Sequence, residues 1–120
     1  MKVKLCFYVF LFLFFMFSTA HAQESKLDLD LANKIMACES GGKVSAYNPN
    51  DGGTPSYSLF QFKLRTFRDF GVIYKVFPEG TTLEEAKKYI WSPAYQGAIA
   101  HGMFSDGLYM HWKNCYLRSV

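Results

Sequence analysis

Two cysteines, Cys38 and Cys115, bracket most of this chain, and whether they are joined constrains its fold more than any other feature. A third, Cys6, lies inside an unbroken apolar run from Leu5 to Phe17 that follows Lys2 and Lys4. Ser18-Thr19-Ala20-His21-Ala22 comes next, with Ala20 and Ala22 in the small-x-small spacing that a signal peptidase accepts. A positive start, an apolar middle and a cleavage site predict an exported protein cut after Ala22. The run is shorter than the roughly 20 residues of a spanning helix, so an uncleaved anchor is the lesser alternative, and no stable membrane insertion is expected after cleavage. Outside the cell or in the periplasm, the two remaining cysteines are expected to form one disulfide. In a reducing compartment they would instead be two buried thiols. A bridge would close nearly the whole domain, worth about 4 kcal/mol against a total stability of about 5–10 kcal/mol for a domain of this size.

The 120 residues allow one domain, divided into a leader (1–22), a polar, flexible start (23–28) and a folded part (29–120). Thirteen Lys and Arg against ten Asp and Glu become eleven against ten once Lys2 and Lys4 leave with the leader. So small an excess, scattered along the chain, excludes a nucleic-acid footprint. It is compatible with an anionic cell-wall polymer.

Leu27, Leu31, Ile35 and Cys38 recur at helical spacing, with Ala32 and Met36 beside them, and predict a helix over 29–40. Asp28 or Asp30 can cap its start, and Gly41-Gly42 can end it. Residues 43–57 show no periodicity but contain Asn48-Pro49-Asn50-Asp51-Gly52-Gly53 and Thr54-Pro55-Ser56, which predict a long loop. Loops of that length in small domains are usually functional. Ser58 to Phe62 suits a strand or a turn equally. Thr66 to Phe70 reads as a helical turn ended by Gly71. Thr82-Leu83-Glu84-Glu85 is a capping box opening a helix to about Ile90. Ser92-Pro93 opens another, to Phe104, ending near Gly107. Tyr109, Trp112 and Cys115 then fit a last inward-facing helical turn. The chain reads as mainly α.

Glu39 is placed for acid catalysis. It stands where a helix ends, so the negative end of the macrodipole disfavours its ionised form. Met36 and Cys38, with Tyr57 and Phe60 if the loop folds back, would desolvate it. Both effects move a carboxyl toward the range of a general acid. The same position also suits a solvated glutamate in a last helical turn.

Cys38-Glu39-Ser40-Gly41-Gly42, followed by the Tyr47–Phe62 stretch ending in Ser58-Leu59-Phe60-Gln61-Phe62, resembles the active-site signature of soluble lytic transglycosylases and the wider lysozyme-like superfamily. The ending His111-Trp112-Lys113-Asn114-Cys115-Tyr116 is similar to the Trp-x-x-Cys close of small secreted members. The resemblance covers residues 29–116. It implies a small lysozyme-like domain with a long active-site loop, acting outside the cytoplasm on the glycan strands of peptidoglycan, as a monomer and without cofactor or metal. Glu39 would protonate the leaving oxygen of the β-1,4 bond between N-acetylmuramic acid and N-acetylglucosamine. It would then act as base on the muramoyl 6-hydroxyl, giving a 1,6-anhydro product.

Ser40 and Gln61 would orient Glu39 or the substrate's N-acetyl group, and for Gln61 a structural amide is an equal reading. Tyr47, Tyr57, Phe60 and Tyr95 are candidates for stacking on sugar rings or for the core. A hydrolase would need a second carboxylate; Asp51 is the only acid in the loop, although Asn-Asp-Gly-Gly also reads as turn chemistry. Ser58 stands where the family pattern has glycine, so it would narrow or strain the cleft floor and is compatible with a binding module of the same fold that no longer cleaves. The Ala-Tyr-Asn-Ala-Gly-like motif of many transglycosylases is absent, its nearest counterpart being Pro93-Ala94-Tyr95-Gln96-Gly97. His111 and Cys115, at i and i+4, have a weak metal-ligand spacing.

Overall fold

The computed structural model describes residues 29–120, so the expected leader and polar start fall outside the described residues. Residues 29–40 form helix α1. Ile35 on its inner face is fully buried, with Leu31, Ala32 and Met36 packed against the core. The helix stops at Gly41, whose φ is +65° and whose N–H donates to the Ala37 carbonyl at 2.9 Å. That left-handed closing turn is open to glycine without a Cβ clash.

The next segment departs from the sequence expectation. In place of a long loop, the chain forms an antiparallel hairpin of β1 (Tyr47–Asp51) and β2 (Thr54–Tyr57). Its tip, Gly52-Gly53, has φ of +65° and +96°, the double positive φ of a tight two-residue hairpin turn. The strands were hidden in the sequence for a physical reason. All of β1 is solvent-exposed, and its pairing slips between Asn48 and Asp51, where Pro49 has no N–H to give. An exposed, bulged edge strand carries no alternating apolar face.

Helix α2 (Leu64–Ile73) is longer than the turn expected at 66–70 and runs straight through Gly71. There glycine serves close packing: a Cβ on Gly71 would lie 2.3 Å from Phe77 Cδ2 and 3.2 Å from Ile99 Cδ1. Helix α3 (Leu83–Lys87) is capped by Thr82, whose Oγ1 accepts the Glu85 N–H at 3.2 Å. It ends in turns short of the expected Ile90. Helix α4 (Pro93–Ser105) starts at Ser92-Pro93 as expected and buries Gln96, Ile99, Ala100, Met103 and Phe104. A 3₁₀ turn (Tyr109–Trp112) leads into α5 (Lys113–Ser119). The domain is mainly helical, with one two-stranded sheet.

The stretch between β2 and α2 is irregular, and its backbone is held by two buried side chains. Gln96 Oε1 accepts the Phe60 N–H at 3.0 Å, while its Nε2 donates to the carbonyls of Tyr57 (3.2 Å) and Ile90 (2.8 Å). Trp112 Nε1 donates to the Phe60 carbonyl at 2.8 Å. Both backbone groups of Phe60 are therefore answered from α4 and the 3₁₀ turn, as buried groups must be. The Phe60 ring lies edge-on to Phe104 and Trp112, so it belongs to the core.

Cys38 and Cys115 form a disulfide, with Cα atoms 5.6 Å apart across 77 residues of sequence. It ties the end of α1 to α5. No helix among the described residues is long and apolar enough to cross a membrane.

Candidate active site

A cavity of about 300 Å³ opens beside the end of α1. Glu39 lines it from α1, Asp51 from the end of β1, Gln61 from the irregular stretch and Thr66 from α2. Residues 110–114, in the 3₁₀ turn and the start of α5, form a further wall. A wider hollow of about 760 Å³ lies between α2 and α3, but its Arg68 and Asp69 answer each other. The smaller cavity brings Glu39 and Asp51 together.

The two acids are driven apart. Glu39 is half-buried, and its pKa is raised above the ordinary 4.5, first by burial and then by the negative charge of Asp51. Asp51 is pulled below its ordinary value, chiefly by the Ser56 hydroxyl, which donates to Oδ2 at 2.6 Å, and further by Lys63. Lys63 Nζ lies 3.5 Å from Asp51 Oδ2 and also donates to the Asp51 and Thr54 carbonyls. It thus clamps the hairpin turn and fixes Asp51 in place. One carboxyl biased toward its acid form and one held ionised form an arrangement suited to proton transfer beside a stabilised positive charge.

Gln61 reaches the cavity with its backbone in the left-handed region, at φ +51°. Its Nε2 donates to the carbonyls of Ala46 (3.2 Å) and Ser58 (2.8 Å), which fixes the amide and the loop together. Ser40 is engaged in ending α1: its hydroxyl donates to the Met36 carbonyl at 3.0 Å and accepts the Gly42 N–H at 3.2 Å. It does not line the cavity.

Nor do Tyr47, Tyr57, Phe60 and Tyr95. Tyr47 pairs across the hairpin with Tyr57 in a cluster with Trp91. Tyr95 stacks between Tyr89 and Phe77, at centroid distances of 4.6 and 5.5 Å. Ser58 is fully buried at φ +64°, with its hydroxyl donating to the Val44 carbonyl at 2.7 Å. The strain expected at this position is present, but Ser58 does not line the cavity.

Asp51 stands in the site although its surroundings read first as turn chemistry, and the stretch from Met110 to Asn114 lines the cavity although the sequence marked His111 to Asn114 only as part of the Trp-x-x-Cys close and named none of them as a substrate-binding residue. Their place directly before Cys115 is the signal that could have put them beside Glu39. The i, i+4 pair His111 and Cys115 ligates no metal, because Cys115 is bridged. No group of three metal-ligating side chains occurs among the described residues.

Compared with known proteins, the chain matches no family model, no curated protein and no solved structure.

Proposed function

We propose that this protein is exported and cleaves the β-1,4 bonds between N-acetylmuramic acid and N-acetylglucosamine in peptidoglycan, acting as a monomer of lysozyme-like type with Glu39 as general acid. The observation that carries the reading is Glu39 itself: a half-buried carboxyl with a raised pKa, lining a cavity that also holds an ionised Asp51. An acid catalyst at a glycosidic oxygen must hold its proton near neutral pH, and burial together with a nearby like charge moves the Glu39 carboxyl in that direction.

Two fates follow for the sugar cation that forms as the leaving oxygen departs. In the lytic transglycosylase reading, Glu39 gives its proton to that oxygen. Its carboxylate then takes the proton of the muramoyl 6-hydroxyl as that oxygen bonds to C1, closing the 1,6-anhydro ring. In the muramidase reading, Asp51 supports the cation or bonds to C1, and water completes hydrolysis. The placement of Asp51 in the same cavity as Glu39 favours this second reading over a bare turn residue.

Mass spectrometry of peptidoglycan digested by the protein, beside Glu39→Gln, tests both. Anhydro ends from the unaltered protein alone support the transglycosylase, and reducing ends support the muramidase. Binding without soluble product from either protein would leave a glycan-binding module.

A further inference from the structure

We propose that residues 111–114 form a docking wall for a carboxylate carried on the glycan, with His111, Lys113 and Asn114 as its specificity-determining residues; this rests on the glycan reading of the cavity above. The cavity is chemically uneven. The end of α1 and the hairpin contribute carboxylates, whereas the C-terminal wall contributes nitrogen groups from His111, Lys113 and Asn114. Among the described residues, none of these three side chains makes a hydrogen bond or ion pair. Lys63, the other cation at the cavity, is already held by Asp51 and Thr54.

The wall is also held in place. The His111 ring lies edge-on to Phe70 at 5.4 Å and beside Trp112 at 6.0 Å, which orients the imidazole while leaving both nitrogens free. Burial lowers its pKa, so near neutral pH it offers one N–H donor and one acceptor. Asn114 directly precedes Cys115, whose bridge to Cys38 fixes this wall next to Glu39. An ammonium, an amide N–H₂ and an imidazole N–H on one wall suit a carboxylate, which accepts from several donors at once. A sugar bearing only hydroxyls would leave the lysine charge unanswered. On a cell-wall glycan the carboxylate has two sources: the lactyl ether of a peptide-free muramoyl sugar, or the acid groups of its peptide stem.

Isothermal titration of the Glu39→Gln protein at low salt tests this, using three glycans of equal length. One is a peptide-free muramoyl–glucosaminyl tetrasaccharide, one is the same glycan with its peptide stems, and one is chitotetraose, which has no carboxylate. A carboxylated glycan is expected to bind about tenfold tighter than chitotetraose, and the ratio should fall toward one in Lys113→Gln and in Asn114→Ala. Both residues are exposed, so these variants should fold. The glycan showing the preference identifies the source of the acid. No preference, or a preference that survives both substitutions, overturns the docking wall. Cleavage by the unaltered protein is scored alongside. Product without preference overturns the wall and keeps the reaction; preference without product does the reverse. Failure to bind any of the three overturns both.

Discussion

At Glu39, the proposed acid role and stability pull in opposite directions. A carboxyl whose pKa is raised in the folded state binds its proton more tightly there than in the unfolded chain. Below the ordinary value of 4.5 both states hold the proton. As pH rises through the folded value, the folded state must ionise a half-buried group near Asp51, and stability is lost. Glu39→Gln is thus expected to melt at a higher temperature than the unaltered protein at pH 7, with the gain vanishing below pH 4.5; thermal melts across that range check it. Asp51→Asn removes a charge that helps raise the Glu39 pKa. The alkaline limb of the pH–rate profile should then move to lower pH, and an unmoved limb would mean the two acids do not communicate. Ser58 is a different kind of compromise. A left-handed backbone costs a residue with a Cβ roughly 1–2 kcal/mol, while its buried hydroxyl satisfies the Val44 carbonyl. Ser58→Ala keeps the strain and orphans that carbonyl, so chemical denaturation should show a loss of about 1–3 kcal/mol. Ser58→Gly, which relieves the strain, should stay within about 1 kcal/mol of the unaltered protein.

Among the elements, α2 and α4 depend on missing side chains. Gly71 of α2 faces Phe77 and Ile99, and Gly102 of α4 lies under the Tyr74 ring, where a Cβ would come within 2.6 Å. Helix propensity alone favours alanine over glycine by about 1 kcal/mol. The Phe77 ring cannot give way, because Phe67, Tyr89 and Tyr95 surround it. Gly71→Ala is therefore expected to destabilise by about 1–3 kcal/mol despite the better helix former, measured by urea unfolding. A stabilised variant would mean that α2 and α4 do not pack this closely. Gln96 connects the same helix to the site. Two of its three hydrogen bonds hold the stretch from Tyr57 to Phe60 and the third ties it to the Ile90 carbonyl, which in turn sets where Gln61 meets the cavity.

For the whole molecule, one covalent bond joins the fold and the site. Cys38 directly precedes Glu39, and Cys115 directly follows Asn114. Reduction therefore frees two walls of one cavity as well as lengthening the unfolded chain. Loss of a closure this long is expected to lower stability by about 4 kcal/mol. Cys38→Ser with Cys115→Ser should melt well below the oxidised protein, and glycan cleavage at temperatures where the variant remains folded should fall too. Full cleavage by a folded, unbridged variant would show that the 110–114 wall is not needed.

Local signals were legible in the residues themselves. The apolar spacing to Ile35, the Gly41 stop, the Thr82 and Ser92 caps and the cysteine pair each act within a few neighbours or through a single bond. Glu39 was legible for the same reason, at a helix end beside glycines. Partners brought together from distant parts of the chain were not. Gly71 reads as a helix stop until Phe77 and Ile99 are seen against it. β1 carries no pattern because it has no buried face. Asp51 reads as turn chemistry until Ser56 and Lys63 hold it ionised in the cavity. The sequence by itself determined the helical domain, its bridge and the place of Glu39 at a helix end. Only tertiary structure decided what surrounds Glu39, because burial and charge at a cavity depend on residues that meet through folding.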